Sequence, residues 1–489
     1  MVERRYKFKF SLLVALISWP YEAERDARLA AEDLIHPRGV SAATDKMRAE
    51  GLPEDAIETF ALYEEELREG ETGTLPESEI EPLEELPDAA ELPDSDGAAL
   101  GKAVVLKLNG GLGTSMGMTK AKSLLEVKQG LSFLDVIVRQ VMHLRERHDT
   151  AALPLLLMNS FATRDDTLAA LERYPDLQVG DLPLDFMQGK VPKLLEDGLE
   201  PAEWPADPSL EWAPPGHGDV YSSLRTSGVL ERLLADGYRY LFLSNSDNLG
   251  AVLEPRILDW FAREGFPFLS ESTDRTEPDR KGGHLARRRD DGRLVLRETA
   301  QTPDEDVECF EDISRHRYFN CNNIWVDLEA LDRTLAERDG VLGLPMIVNR
   351  KTVDPGDSSS PAVVQLETAM GAAVGVFDAA AAVRVPRARF APVKKTDDLL
   401  VVRSDAYELA EDFTVRLARE RAPGVSLDDD YFKLLADFEE HFYGGAPSLV
   451  ECERLTVEGD VSFGRDVKVR GDVTVRGPRR VEDGELLEG

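Results

Sequence analysis

Apolar and polar positions along this chain change rhythm several times, and each change marks an element. From residue 43 to 70, Ala56, Ile57, Phe60, Leu62 and Tyr63 recur at helical spacing. Residues 71–98 lose that period and are rich in Pro and Glu, which predicts an extended acidic segment wrapped on the surface. Short unbroken apolar runs begin at about residue 101. Val104-Val105-Leu106, Leu155-Leu156-Leu157-Met158 and Tyr240-Leu241-Phe242-Leu243 have the length and continuity of strands covered on both faces. Between the first two, Leu134, Ile137, Val138, Val141 and Leu144 keep one helical face apolar, with Ser132 as N-cap and Asp135 at the third helical position. Another helix is expected from about Asp165. Strands alternating with helices predict an α/β fold with a doubly wound, mostly parallel sheet. Ligands of such sheets gather beyond the C-terminal strand ends.

The last forty residues change rhythm again. Leu455, Val461, Val467 and Val473 are spaced by six, and Val457, Phe463, Val469 and Val475 form a second series of the same period. Gly459, Gly471 and Gly477 fall between them. Two series in phase predict a hexapeptide-repeat β-helix, assigned here as left-handed, whose apolar residues stack inward. The open edge of such a coil attracts partners, so it is a candidate surface for a homo-oligomer. The expected division is an extension upstream of the native start over 1–39, a helical and acidic wrapping segment over 40–100, an α/β domain over 101–400, and a linker with the β-helix over 401–489.

Composition narrows the partners. The chain has 489 residues, enough for more than one core, and 42% of them are hydrophobic. Its formal net charge is -35. Such a surface repels nucleic-acid phosphates and anionic lipid, so neither is an expected partner. Any lysine placed where a phosphate could lie is therefore informative. Cys309, Cys321 and Cys452 form no C-x-x-C pair and have no histidine at zinc spacing, which suits a reducing, cytoplasmic setting. No run reaches the length of a membrane-spanning helix. Arg4, Arg5, Lys7 and Lys9 precede a short apolar stretch, Leu12 to Trp19, but no small-x-small cleavage site follows it.

The chemistry concentrates after the first buried run. Leu106-Lys107-Leu108-Asn109-Gly110-Gly111-Leu112-Gly113-Thr114-Ser115-Met116-Gly117 is a glycine loop that lets backbone N–H groups approach phosphate oxygens. No G-K-[ST] closes it, so it is not a Walker loop, and it lacks the dinucleotide fingerprint. Lys120 and Lys122 follow and supply positive charge where a triphosphate would lie. Further along, Gln188 carries a donor and an acceptor together. Gly216 and Gly218 bracket His217 in a Pro-Pro turn, and Asp247 follows the Tyr240–Leu243 run. Asn320, Asn322 and Asn323 can exchange hydrogen bonds with hydroxyls, and Glu298 can accept them.

These motifs, in this order, resemble the UDP-glucose pyrophosphorylase family of the type common in eukaryotes. The likeness continues through Leu157-Met158-Asn159-Ser160-Phe161, Gln188 with Pro192, and Pro214-Pro215-Gly216-His217-Gly218-Asp219. It goes on through Ser244-Asn245-Ser246-Asp247-Asn248-Leu249-Gly250, Lys281-Gly282-Gly283, Glu298 with Gln301, and Phe319-Asn320-Cys321-Asn322-Asn323. Gln365-Leu366-Glu367-Thr368-Ala369 and Pro392-Val393-Lys394 complete it, so roughly residues 101–480 are covered. Thr119-Lys120-Ala121-Lys122 and Lys395 depart from the family pattern without removing a catalytic group.

The resemblance implies a fold of the nucleotide-diphospho-sugar transferase type and a transfer of the uridylyl group of UTP to glucose 1-phosphate. It implies Lys122, Lys394 and Asp247 as catalytic residues, with Asp247 holding Mg2+. It implies Leu108, Asn109, Gly110, Gly111, Gln188 and Gly216 at the nucleotide. His217, Gly283, Glu298, Asn320 and Asn322 are implied at phosphate and sugar. The other readings of the same motifs are a sister enzyme for other UDP-sugars or UDP-N-acetylhexosamine, and a non-catalytic sugar-nucleotide sensor. The sister signature has Thr-Arg where this chain has Thr114-Ser115-Met116.

Overall fold

The computed structural model describes residues 41–150 and 152–489. The readings of residues 1–39 lie outside the described residues. The helical stretch expected over 43–70 is two helices, α1 (Ala42–Ala49) and α2 (Glu54–Arg68). Gly51 turns the chain with φ 76° and Pro53 withholds an N–H, so one helix cannot run through. Met47, Ile57, Phe60 and Tyr63 pack against Val191, Leu194, Met346 and Leu366. The acidic segment is extended, as its composition predicts, and contributes an edge strand, β1 (Ile80–Pro82).

The strands read from the apolar runs are β2 (Ala103–Asn109), β3 (Leu155–Asn159) and, after β4 (Asp185–Met187), β5 (Tyr240–Asn245). They pair in parallel in the order β5-β2-β3-β4. Their side chains alternate between two cores. Val104, Leu106, Leu156, Met158, Leu241 and Leu243 enter one, and Val105, Leu155, Leu157 and Phe242 the other. Each such burial is worth about 1.5–3 kcal/mol over leaving the side chain in water. Helix α3 (Phe133–Arg147) begins at Ser132, whose side chain accepts from Asp135 N–H while the Asp135 carboxylate accepts from Ser132 N–H. Helix α4 (Arg164–Leu171) follows β3.

The other half of the ten-stranded sheet corrects the expectation of a mostly parallel one. After α5 (Pro255–Glu264) come β6 (Phe268–Asp274), β7 (His284–Arg288), β8 (Leu294–Arg297), β9 (Tyr318–Asp327) and β10 (Ala381–Arg384). Strand β9 runs antiparallel to β5, β6 and β7, and β7 runs antiparallel to β1 and β8. Only β6 and β10 pair in parallel here. The physical reason is the connection: a short hairpin links β7 to β8, and hairpins join antiparallel strands, whereas parallel pairs need a crossover. The architecture is α/β on a mixed sheet.

Beyond α6 (Thr396–Arg403) the chain coils. The strands are β11 (Gly424–Leu427), β12 (Cys452–Glu458), β13 (Val461–Phe463), β14 (Lys468–Arg476), β15 (Arg479–Val481) and β16 (Leu486–Glu488). Parallel register sets Leu455 against Val473 and Val457 against Val475, so one coil takes three six-residue units. Phe463 faces Val481 and Val469 faces Leu487 in the same way. Every member of both apolar series is buried. The same core takes in Met116 of the glycine loop and Val393, Leu399 and Leu400. It therefore reaches the polar edge of the large sheet.

Candidate active site

Parallel register brings the ends of β2, β3 and β5 to one edge: Asn109 pairs with Asn159, and Leu108 with Asn245. The glycine loop leaves β2 there. Gly113 and Gly117, at φ 66° and 72°, bracket one 3-10 turn, Thr114–Met116, a backbone path that side chains beyond Cα disfavour. Lys122 N–H then donates to Gly111 O at 3.0 Å and folds the loop back. Ser160 Oγ donates to Gly110 O at 2.8 Å, and Gln188 N–H donates to Asn159 O at 2.8 Å. A methyl group on Gly110 would lie 2.4 Å from Gln188 Oε1. The loop and the amide that the sequence placed 78 residues apart (110 to 188 in the numbering) thus touch.

The charged residues meet next to this corner. Lys122 Nζ lies 2.7 Å from Asp247 Oδ2, and both side chains are only partly covered. Val393 N–H donates to Asp247 O at 3.2 Å, which sets Lys394 beside the turn that carries Asp247. Val393 itself is fully buried and anchors the segment, while Lys394 and Lys395 are exposed. Asp398 Oδ2 accepts from the backbone N–H of both lysines, at 2.8 and 3.0 Å, and so fixes the backbone from which they project.

Gly283, Glu298, Asn320 and Asn322 form a second group. Asn320 N–H donates to Gly283 O at 3.0 Å. A methyl group on Gly283 would fall 2.5 Å from Glu298 Oε2, so glycine is what lets the carboxyl lie on the backbone. Desolvation pushes the Glu298 carboxyl up to about 7, while the Lys394 ammonium pulls it down. The second group therefore lies within the electrostatic reach of Lys394. Asn320 Nδ2 donates to Asn322 Oδ1 at 2.9 Å, and Asn322 N–H donates to Asn320 Oδ1 at 3.1 Å. Asn322 has φ 53°, a conformation asparagine tolerates better than most residues.

Gly216 and His217 lie against a different segment. Gly216 has φ 80°, and a methyl group there would sit 2.4 Å from Thr368 O. Close approach of two backbones is thus one reason for glycine at this point. His217 Nδ1 accepts from Met370 N–H at 2.9 Å. Desolvation lowers its pKa to about 4, so the ring is neutral at pH 7 with its proton on Nε2. It can donate a hydrogen bond but carries no charge.

The side chains of Asn109 and Asn323 are taken up inside the protein. Asn109 Nδ2 donates to Asn159 Oδ1 at 2.7 Å and to Thr167 Oγ1 at 2.9 Å, deep below the edge. What Asn109 can present is backbone. Asn323 is fully buried, and its Nδ2 donates to Glu271 Oε2 at 2.9 Å and Arg389 O at 3.2 Å. Leu108 is half-buried and packs on the core of the sheet.

Sequence reasoning passed over the groups that hold this edge in shape. Buried Lys107 donates to Ser244 Oγ at 2.7 Å and Ala251 O at 2.6 Å. A lysine inside an apolar run, Val104-Val105-Leu106-Lys107-Leu108, was its available signal. Desolvation, with repulsion from Arg389, lowers its pKa to about 7. Asp219 accepts from Gly189 N–H at 2.7 Å and so ties the residue after Gln188 to the His217 turn. Glu271 and Arg389 form a buried two-pronged pair at 2.6 and 2.7 Å. Nothing in their sequence context marks them.

An open α/β sheet with a glycine loop leaving a central strand, and cations at the strand ends, is the layout of a nucleotide-handling protein. Comparison with known proteins gives the family. The family described as UTP–glucose-1-phosphate uridylyltransferase matches residues 57–470. The enzyme of that name from Hordeum vulgare is 41% identical over 417 residues, covering 84% of this chain and 85% of the relative. That from Solanum tuberosum is 43% identical over 401 residues, covering 81% of each. Among solved structures, a mutant UDP-glucose pyrophosphorylase from Leishmania major in complex with UDP-glucose superposes with TM-score 0.86 at 46% identity, covering 91% of this chain and 97% of that one. A protein from Trypanosoma brucei described as a UDP-glucose phosphorylase gives 0.83 at 47%, covering 92% and 99%. The chain belongs to the UTP–glucose-1-phosphate uridylyltransferase family.

Proposed function

We propose that this chain transfers the uridylyl group of UTP to glucose 1-phosphate, giving UDP-glucose and pyrophosphate. The observation that carries the reading is the convergence on Asp247. Its carboxylate holds Lys122 of the nucleotide loop, and its carbonyl holds the segment of Lys394. Three distant stretches of sequence thereby meet at the turn that carries Asp247, which supports reading Lys122, Asp247 and Lys394 as one charged group.

The chemistry follows from charge. A phosphate oxygen of glucose 1-phosphate attacks the α-phosphorus of UTP, the new P–O bond forms, and the bond to pyrophosphate breaks on the opposite side. The nucleophile is already ionised at neutral pH, so alignment and charge neutralisation carry catalysis. Backbone N–H groups from Leu108 to Gly111 and the Gln188 amide take the uridine side, with Gly216 closing it. Lys122 takes the triphosphate and leaving group. Lys394 faces the sugar phosphate and the reacting centre, and neutral His217 donates to a phosphate oxygen. Gly283, Glu298, Asn320 and Asn322 hold the sugar; Glu298, with its raised pKa, can donate as well as accept.

Asp247 fits Mg2+. Among the described residues no group of three or more His, Cys, Asp or Glu could hold a metal ion. A lone carboxylate suits an ion that keeps water and takes its other ligands from phosphates. Bound there, Mg2+ would neutralise charge on the phosphate oxygens.

The domain division at 40, 101 and 401, a left-handed turn of the C-terminal coil and self-association through its edge belong to the same proposal. Cytoplasmic residence does too; no helix among the described residues is long and apolar enough to cross a membrane. The test is pyrophosphate release with UTP and a panel of glucose, galactose and N-acetylglucosamine 1-phosphates. Turnover with glucose 1-phosphate well above the others is expected. Preference for the N-acetyl sugar would favour the sister activity, and no release with any would favour the sensor.

A further inference from the structure

We propose that Asn248 is the positioning residue that sets Lys394 against Asp247. The inference rests on the reading of Lys394 given above. Asn248 follows Asp247 directly and is buried. Its amide makes four hydrogen bonds to three separate stretches. Nδ2 donates to Asn323 Oδ1 of β9 at 3.2 Å and to Arg389 O at 3.1 Å. Oδ1 accepts from Gly250 N–H at 3.2 Å and from Ala391 N–H at 2.9 Å. A carboxamide used this fully has no functional equivalent: isosteric aspartate keeps the two acceptor contacts and loses both donors, and alanine loses all four.

The layout shows which part of the chain these bonds govern. Arg389 is pinned independently, by Glu271 and by its own donation to Val252 O at 2.9 Å. From Arg389 to Val393 the chain is held by Asn248 at Arg389 O and Ala391 N–H, and then by Asp247 O at Val393 N–H. Asn248 and Pro392 also pair as an antiparallel bridge. Removing the Asn248 amide leaves Arg389 held by Glu271 and Asn323 and Val393 held by Asp247 O, but strips Ala391 N–H of its acceptor, so the chain between those two anchors, 390–392, loosens just before Lys394. The ammonium then loses its alignment while the fold keeps its anchor. Misplacement by an ångström at a reacting centre is enough for a loss of about 10²-fold.

A double-mutant cycle tests this, with kcat, KM for each substrate and Tm measured for Asn248→Ala, Asn248→Asp, Lys394→Ala and the two doubles. Asn248→Ala is expected to lower kcat by about 30–100-fold while KM for UTP stays within about 3-fold. In the Lys394→Ala background the same change is expected to cost less than about 3-fold, because the group it positions is gone. Asn248→Asp should retain more kcat than alanine, and its loss should likewise vanish without Lys394. Should the alanine variant fail to fold, the aspartate arm alone decides. Equal losses in both backgrounds would overturn the proposal, as would parental kcat in a folded Asn248 variant. Parental kcat in Lys394→Ala would instead remove Lys394 from the reaction, and this role of Asn248 with it.

Discussion

Lys122 Nζ and Asp247 Oδ2 form an ion pair of 2.7 Å that joins the glycine loop to the turn after β5. Both side chains are partly exposed, and such pairs contribute about 0–1 kcal/mol to stability. Its use lies in being divisible. On the proposed reading, Lys122 would be free to bind a triphosphate, and Asp247 would hold a metal ion that neutralises phosphate charge. EDTA is therefore expected to abolish turnover and added Mg2+ to restore it. Asp247→Ala should cost about 10²-fold or more in kcat, by analogy with losing one preorganised charge-stabilising group, with little change in Tm. A rate undiminished in EDTA would remove the metal from the reaction.

The contact between Gly110 and Gln188 makes a prediction about the base. Gly110→Ala would drive a methyl group to 2.4 Å from Gln188 Oε1, so the amide must move. Gln188→Ala removes the amide altogether. Both are expected to weaken UTP binding by about 1–3 kcal/mol, the cost of polar groups left unpaired, and to reduce preference for UTP over CTP. Calorimetric titration of each nucleotide checks this, and unchanged selectivity in both variants would take Gln188 out of the base site.

Much of this edge was legible in the sequence, and the reasons it was or was not are physical. Ser132 and Asp135 form the predicted cap because the reciprocal bonding is local. The six-residue period survives into the coil because every inward position must be apolar. The antiparallel half of the sheet was hidden. Ser270, Glu271, Ser272 and Thr273 in β6, and Asn320 and Asn323 in β9, are buried polar residues, with Ser270 bonded to Asn320 and Glu271 to Asn323 and Arg389, so no apolar rhythm marks these stretches as strands. Asparagines are ambiguous in sequence for a related reason. Asn109, Asn323 and Asn248 have the composition of a ligand site and are consumed by internal bonds, and nothing local distinguishes those two fates.

Glu298 gives a pH signature. Its folded-state pKa of about 7 lies above the ordinary 4.5, so between those values the native state binds more protons than the unfolded state. Stability must fall as pH rises through that window. Below 4.5 both states hold the proton and the effect is absent; above 7 both are ionised and it is complete. The Tm of Glu298→Gln relative to the parent should accordingly rise from pH 4.5 to 7 and then level. In Lys394→Ala the parental window should extend upward, because the ammonium that favours the carboxylate is gone. A Tm difference independent of pH would show that Glu298 titrates normally.

The coil should govern stability without touching chemistry. Phe463 is fully buried and stacks on Phe442, with ring centroids 4.7 Å apart and planes at 17°. Phe463→Ala removes a large core side chain and leaves a cavity, at a cost of about 3–5 kcal/mol. Denaturant unfolding should show that loss. Turnover per folded molecule at low temperature should stay near parental, since Phe463 is not among the residues assigned to substrate. A large fall in kcat of the folded protein would mean that the coil also shapes the site.

Lys394 and Lys395 are adjacent, both exposed, and share Asp398 as acceptor for their backbone N–H groups. Their side chains are not equivalent. Lys394 follows Val393, whose N–H is held by Asp247 O, and its ammonium acts on the Glu298 carboxyl. Lys395 is the N-cap residue of α6, one step further from that tie. Successive side chains of an extended segment leave on opposite faces, so only one of the two can face the phosphates. When two phosphates approach, negative charge crowds at a single place, and a fixed ammonium there stabilises the transition state more than either substrate alone. Lys394→Ala is therefore expected to lower kcat by about 10²–10³-fold, the loss seen when one preorganised charge-stabilising donor is removed. Its stability should change by no more than about 0.5 kcal/mol, as for a surface site. Lys395→Ala should leave kcat within about 3-fold, because a side chain on the opposite face makes no contact that strengthens in the transition state. Both variants, prepared together, are compared for kcat and Tm. Loss of turnover in Lys395→Ala alone would move the assignment by one residue, and parental turnover in both would mean that this segment does not reach the reacting phosphates.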